Sequence, residues 1–158
     1  NGGKFLTDDS LLVEEAEDYC LALSSHPSLR LWADSVDTLV DEKTRQAAAI
    51  SYSTKSRLLA GEALPHCEEP LPLLAAFLLN WKGASEVALR PLAGAERHMA
   101  WVENSFLLDI EDRLLLAEHF DWTHRIAQNV PTFALDYPRD YGMLPDVRDA
   151  VRNHVAAL

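Results

Sequence analysis

The stretch Phe106 to Asn129, FLLDIEDRLLLAEHFDWTHRIAQN, constrains the fold more than any other part of the chain. It holds neither Gly nor Pro and is dominated by Leu, Ala, Glu and Arg, residues that lose little on entering a helix. At about 100° per residue its large apolar side chains (Phe106, Leu107, Leu108, Ile110, Leu114, Leu115, Leu116, Phe120, Trp122 and Ile126) spread almost all the way round the axis. A surface helix keeps a broad polar face. This one is therefore expected at the centre of the molecule, with other helices packed round it and part of its charge enclosed.

The rest of the chain reads as helices separated by Pro and Gly. Ser10 or Asp9 can cap a first segment running to about Leu23, with Glu14, Glu15 and Glu17 near its positive end and Cys20 on its apolar side. After Ser24-Ser25-His26-Pro27, the residues Leu29, Trp32, Ala33, Val36, Leu39 and Val40 follow helical spacing. A third helix is expected over about Glu42 to Leu59, ended by Gly61, and a short apolar one over Leu73 to Trp81, stopped at Gly83. Ser85 to Pro91 reads as a connector or one short strand. A further helix begins near Ala93, and Pro145 opens a last one running to about Ala157. The expectation is an all-α fold: a helical bundle of six or seven helices in one domain, residues 1–158, around a central helix at about 106–128. Residues 1–7 are expected to form a flexible tail.

Charge narrows the function. The chain carries 25 Asp and Glu against 14 Lys and Arg, a formal net charge of −11. Nucleic-acid binding needs clustered cations that displace counterions from phosphate, and no such cluster occurs. An anionic membrane surface is disfavoured for the same reason. A protein partner fits, of basic character if the acidity has a counterpart, and a homo-oligomer is compatible with the apolar central helix. The longest apolar run, Leu71 to Leu79, is too short to span a bilayer, and no leader is recognisable, so a cytoplasmic location is expected. The chain begins with Asn rather than Met, which keeps a removed leader compatible with it.

Three clusters carry candidate chemistry. Glu111, Glu118 and Arg125 recur every seven residues and form one stripe on the central helix, shared with Leu107 and Leu114. Two carboxylates on an apolar strip can have raised pKa values, which suits general acid–base work, with His119 or His98 as a neighbour. Against this, Arg125 can neutralise Glu118, and Asp109–Arg113 and Asp121–Arg125 have the order of ordinary surface pairs. His119, Asp121 and His124 are ligand types for zinc or iron, yet the two imidazoles, five residues apart, diverge by about 140° on a helix. No metal or other cofactor is expected. His66-Cys67-Glu68-Glu69 places a thiol beside an imidazole in a proline-flanked loop, where the two glutamates oppose thiolate formation.

The stretch Val130 to Leu144 is expected to be irregular and carries Asp136-Tyr137-Pro138-Arg139-Asp140-Tyr141. Long loops in compact domains are often functional, and Tyr and Arg are favoured anchors at interfaces. Phosphate-loop, nucleophile-elbow, EF-hand and paired CxxC signatures are absent. No family resemblance is carried by these residues. The leading expectation is a protein–protein interaction or regulatory domain of adaptor, inhibitor or immunity type. It would act through its acidic surface and the loop, with Tyr137, Arg139, Asp140 and Tyr141 in contact with the partner. The alternative is a small helical enzyme or ligand-binding protein with a pocket beside the central helix.

Overall fold

The computed structural model describes residues 3–41, 44, 54–79, 83–107 and 109–158. Among them are four α-helices and eight strands in three sheets, so the fold is an α/β mixture and the expected all-α helical bundle is incorrect. The contacts group into two compact units: Asn1–Ala16 with Leu21–Pro72, and Glu17–Cys20 with Leu73–Leu158. No helix among the described residues is long and apolar enough to cross a membrane.

The first unit is built from short strands where helices were expected. Strands β1 (Leu12–Glu15), β2 (Cys20–Leu23) and β5 (Leu71–Pro72) form one sheet in the order β1-β2-β5. Strands β3 (Ser28–Leu31) and β4 (Ser56–Leu59) form an antiparallel pair. Apolar runs of about four residues fit a period of 2 as well as one of 3.6, so periodicity could not separate the two structures here. Proline at positions 27, 65, 70 and 72 repeatedly interrupts this half, and that punctuation is the signal that favoured strands. Helix α1 is only Ala33–Leu39, one part of the second segment expected. Most of the third expected helix lies outside the described residues (42–43 and 45–53), and its last four residues are β4. The N-terminal stretch is tied down from Phe5 onward: its N–H donates to the Pro65 carbonyl at 3.0 Å, and its own carbonyl accepts from Cys67 N–H at 2.9 Å.

The second unit centres on β8 (Thr132–Asp136), which lies between parallel β6 (Ala76–Leu79) and antiparallel β7 (Ala88–Pro91). Thr132, Phe133, Ala134 and Leu135 are all buried, as a central strand covered on both faces requires. On one face, Phe133 stacks on its ladder partner Phe77 at 5.4 Å and meets His154 edge-on at 4.3 Å. His154 comes from α4 (Leu144–Val155), which has Pro145 in its first turn as expected. On the other face, Trp101 Nε1–H of α2 (Gly94–Asn104) donates to Thr132 Oγ1 at 3.0 Å, and Thr132 passes its own proton to the Val130 carbonyl. Helices therefore approach β8 from both sides. The strand at Ala88–Pro91 fits the short strand or connector expected there, whereas the helix expected over Leu73 to Trp81 gives way to β6 up to Leu79, its last two residues lying outside the described ones.

Candidate functional site

The expected central helix is shorter than its composition suggested, and two aspartates decide where it starts. The Asp109 carboxylate accepts from the N–H groups of Glu111 (2.9 Å) and Asp112 (3.3 Å), closing a turn before the helix. Asp112 then caps α3 (Arg113–Asn129), accepting from Leu114 N–H at 2.8 Å and Leu115 N–H at 3.2 Å. A short polar side chain that satisfies free N–H groups outside a helix competes with the helix itself, so Asp109 to Asp112 stay outside it.

The two halves of α3 differ sharply. In the C-terminal half, Thr123, Ile126 and Ala127, followed by Val130, form a buried stripe at the i, i+3, i+4, i+7 spacing of a core-facing helix. In the N-terminal half the apolar side chains are uncovered: Leu115 and Leu116 are about 40% exposed (40% and 41%), Phe120 48% and Leu114 67%. Ile110 and Phe106, just before the helix, reach 72% and 85%. At 100° per residue, Leu115 and Leu116 continue the buried stripe and Leu114 points away from it, so this half is apolar round much of its girth. Helix α2 ends at Asn104, and Ser105 just beyond meets His119 at 2.8 Å, leaving the first six residues of α3 past that contact. The helix is thus not central. One end buries a single stripe and the other carries its large apolar side chains in water.

Histidines join α2 to α3. His98 Nε2 lies 3.2 Å from the Phe120 carbonyl and 3.3 Å from Thr123 Oγ1. The carbonyl can only accept, and Thr123 gives its proton to the same carbonyl at 2.9 Å, so the His98 proton sits on Nε2. Its ring also packs against Phe120 at 4.4 Å and edge-on to His124 at 4.9 Å. His98 is one of the two imidazoles expected beside this helix. Its role here is to fasten two helices.

The structure separates the sequence-based candidates. Glu111 and Glu118 are both exposed, so the desolvation that would make them an acid–base pair is missing. His119 bonds Ser105 and stacks near Trp122 at 6.1 Å, while His124 bonds Gln128 Nε2 at 2.9 Å, and Asp121 is exposed. Among the described residues no three His, Cys, Asp or Glu side chains converge as a metal-ligand set. Ser105 with His119 has the form of a nucleophile–base pair, but no described residue bonds His119 Nδ1 to orient it, and Ser105 Oγ also donates to the Val102 carbonyl at 3.1 Å. In the first unit, His66 turns to Ser24 Oγ and the Leu6 carbonyl, each at 3.1 Å, while the Cys67 thiol is 3.5 Å from the Glu69 carbonyl. Ser24 spends its proton on the Cys67 carbonyl at 2.8 Å, so this cluster joins backbone segments.

The stretch Val130 to Leu144, expected to be irregular, contains strand β8 and a 3-10 turn, Tyr141–Met143. Asp140 accepts from Gly142 N–H at 2.8 Å and so sets that turn. Arg139 lies over the ring of half-buried Tyr137 at 4.5 Å. Of the docking residues assigned to this loop, Arg139 thus covers Tyr137 and Asp140 holds its own turn. The exposed apolar segment 106–120 escaped the sequence reading because exposure is a property of what surrounds a residue. The Asp109 and Asp112 spacing ahead of a leucine run was the available sign that the helix begins late. No protein-family model, curated protein or solved structure matches this chain.

Proposed function

We propose that the chain is a protein–protein interaction module that docks by inserting segment 106–120 into an apolar groove with a basic rim on a partner protein. One observation carries this reading: six large apolar side chains stand at 40% exposure or more within 15 residues, two of them just before α3 and four on its N-terminal half, while the other half of the helix carries a buried stripe. Surface patches of this kind mark interaction sites, and a projecting helix that anchors through side chains such as Leu116 and Phe120, four apart, suits a groove. Charge selects the partner. Residues 103–121 carry six acids (Glu103, Asp109, Glu111, Asp112, Glu118, Asp121) against Arg113 alone, so basic residues at the groove rim would steer association.

The test is affinity capture from an extract of the source cells, comparing the intact chain with Phe106→Ser/Leu116→Ser/Phe120→Ser and with Tyr137→Ala/Arg139→Ala. The reading expects a partner held by the intact chain and by the loop variant, and lost by the helix variant. Each aromatic anchor removed should weaken binding by about 2 kcal/mol or more, roughly thirtyfold. Loss in the loop variant with retention in the helix variant would move the docking surface to 130–144. A captured protein without a basic surface would contradict the electrostatic part.

A further inference from the structure

In the first unit the paired strands β3 and β4 place Arg30 directly opposite Arg57, a like-charge pair that destabilises a ladder unless anions compensate it. Asp9 compensates one member, with its carboxylate 2.8 Å from the Arg30 guanidinium. Arg57 has only a hydroxyl: its Nε–H donates to Ser28 Oγ at 3.1 Å. Among the described residues no carboxylate lies within ion-pair distance of Arg57. Four guanidinium N–H donors are therefore unused by any described residue, on a cation that lines a cleft of about 310 Å³.

The other wall of that cleft is complementary. Asp8 accepts the Arg30 backbone N–H at 2.7 Å through one oxygen, and among the described residues its second oxygen and its charge have no partner. Thr7 donates its hydroxyl proton to the Ser10 carbonyl at 2.6 Å, so Ser25 must donate in the 2.6 Å Thr7–Ser25 contact. Both protons are spent, and lone pairs of Thr7 and Ser25 remain. Ser28, which accepts from Arg57, keeps its own proton to give. One side of the cleft thus offers donors and positive charge, and the other offers acceptors and negative charge. The two anchoring points, Arg30 N and Ser28, are two residues apart on β3, about 7 Å.

From this geometry we infer that the cleft binds a small zwitterion of the α-amino-acid type, its carboxylate on Arg57 and Ser28 and its ammonium on Asp8, Thr7 and Ser25. A simple anion would leave Asp8 unmatched and close to it, and a simple cation would leave Arg57 so. A cleft of about 310 Å³ has room for a molecule of amino-acid size.

The test is NMR titration of the full chain with the standard amino acids, with propionate, ethylamine and inorganic phosphate as one-headed probes. The inference expects at least one amino acid to shift the amides of Arg30 and Arg57 and to bind about tenfold or more tighter than propionate or ethylamine. Asp8→Asn, whose amide oxygen can still accept from Arg30 N–H, should erase that advantage and leave propionate binding unchanged or stronger. Arg57→Gln should abolish binding of both, and Arg57→Lys, which keeps the charge, should retain part of it if the glutamine variant fails to fold. Phosphate or propionate binding as tightly as the best amino acid would overturn the inference in favour of a plain anion site. A complete panel without binding to the intact chain would overturn it outright.

Discussion

Leu114→Ala and Ile126→Ala, two substitutions on one helix, separate the observed fold from the helical bundle that the composition suggests. Burying a leucine or isoleucine fully is worth about 1.5–3 kcal/mol, and truncating a fully buried one to alanine costs about 2–5 kcal/mol once the cavity is counted. Ile126 has no exposed surface and should pay the full cost. Leu114 is two-thirds exposed, so only about a third of its transfer energy is at stake, roughly 0.5–1 kcal/mol. The better helix propensity of alanine returns a few tenths of that, for a net near 0.5 kcal/mol. Urea unfolding with matched m values would read both, and the two variants should differ by about 1.5 kcal/mol or more. If Leu114→Ala costs as much as Ile126→Ala, the N-terminal half of α3 is packed in a core and the reasoning here fails.

Other expectations follow from single contacts. Asp112→Ala should cost about 1 kcal/mol, since it strips two N–H groups of their acceptor, and Asp112→Asn should cost less, both read from the urea midpoint. Thr132→Val orphans the indole N–H of Trp101 beside β8 and should cost about 1–3 kcal/mol, partly recovered by adding Trp101→Phe. The hydrogen bond from Arg148 holds the exposed Asp149 carboxyl below its ordinary range, so its NMR titration midpoint should rise in Arg148→Gln. Because the folded value is the depressed one, any stability from this pair is present above the ordinary carboxylate pKa and is lost as pH falls through the lowered value. Both partners are largely exposed, so Asp149→Asn should leave the unfolding midpoint at pH 7 unchanged within error.

Long elements were legible in the residues and short ones were not. Helix α4 follows from Pro145 and its periodic apolar side, and α2 from the run after Ala93, because several turns of pattern exclude a strand. Strands such as Ser28–Leu31 and Ala76–Leu79 span four residues of leucine with small or polar neighbours, too few for the pattern to choose. The run Thr132–Asp136 hid among prolines and tyrosines that read as a loop, and its continuous apolar part, Phe133-Ala134-Leu135, is too short to announce a buried strand. The stretch now proposed to dock stood out in the sequence as the centre of a bundle, and the docking residues were expected elsewhere, at 137–141. The excess of leucine round the helix was read as burial on all sides, and the structure leaves it exposed at one end. The Arg30–Arg57 pairing was out of reach, because it depends on a register between strands 27 residues apart.

The central claim is that segment 106–120 is a docking element, and site-specific photo-crosslinking tests it most directly. A photoreactive phenylalanine analogue placed at Leu116 would be compared in cell extract with one at Arg152, which is exposed on α4. The claim predicts one discrete adduct with a different protein from position 116, suppressed by Phe106→Ser/Phe120→Ser and absent from position 152. No adduct at position 116, or the same adducts from both positions, would contradict it.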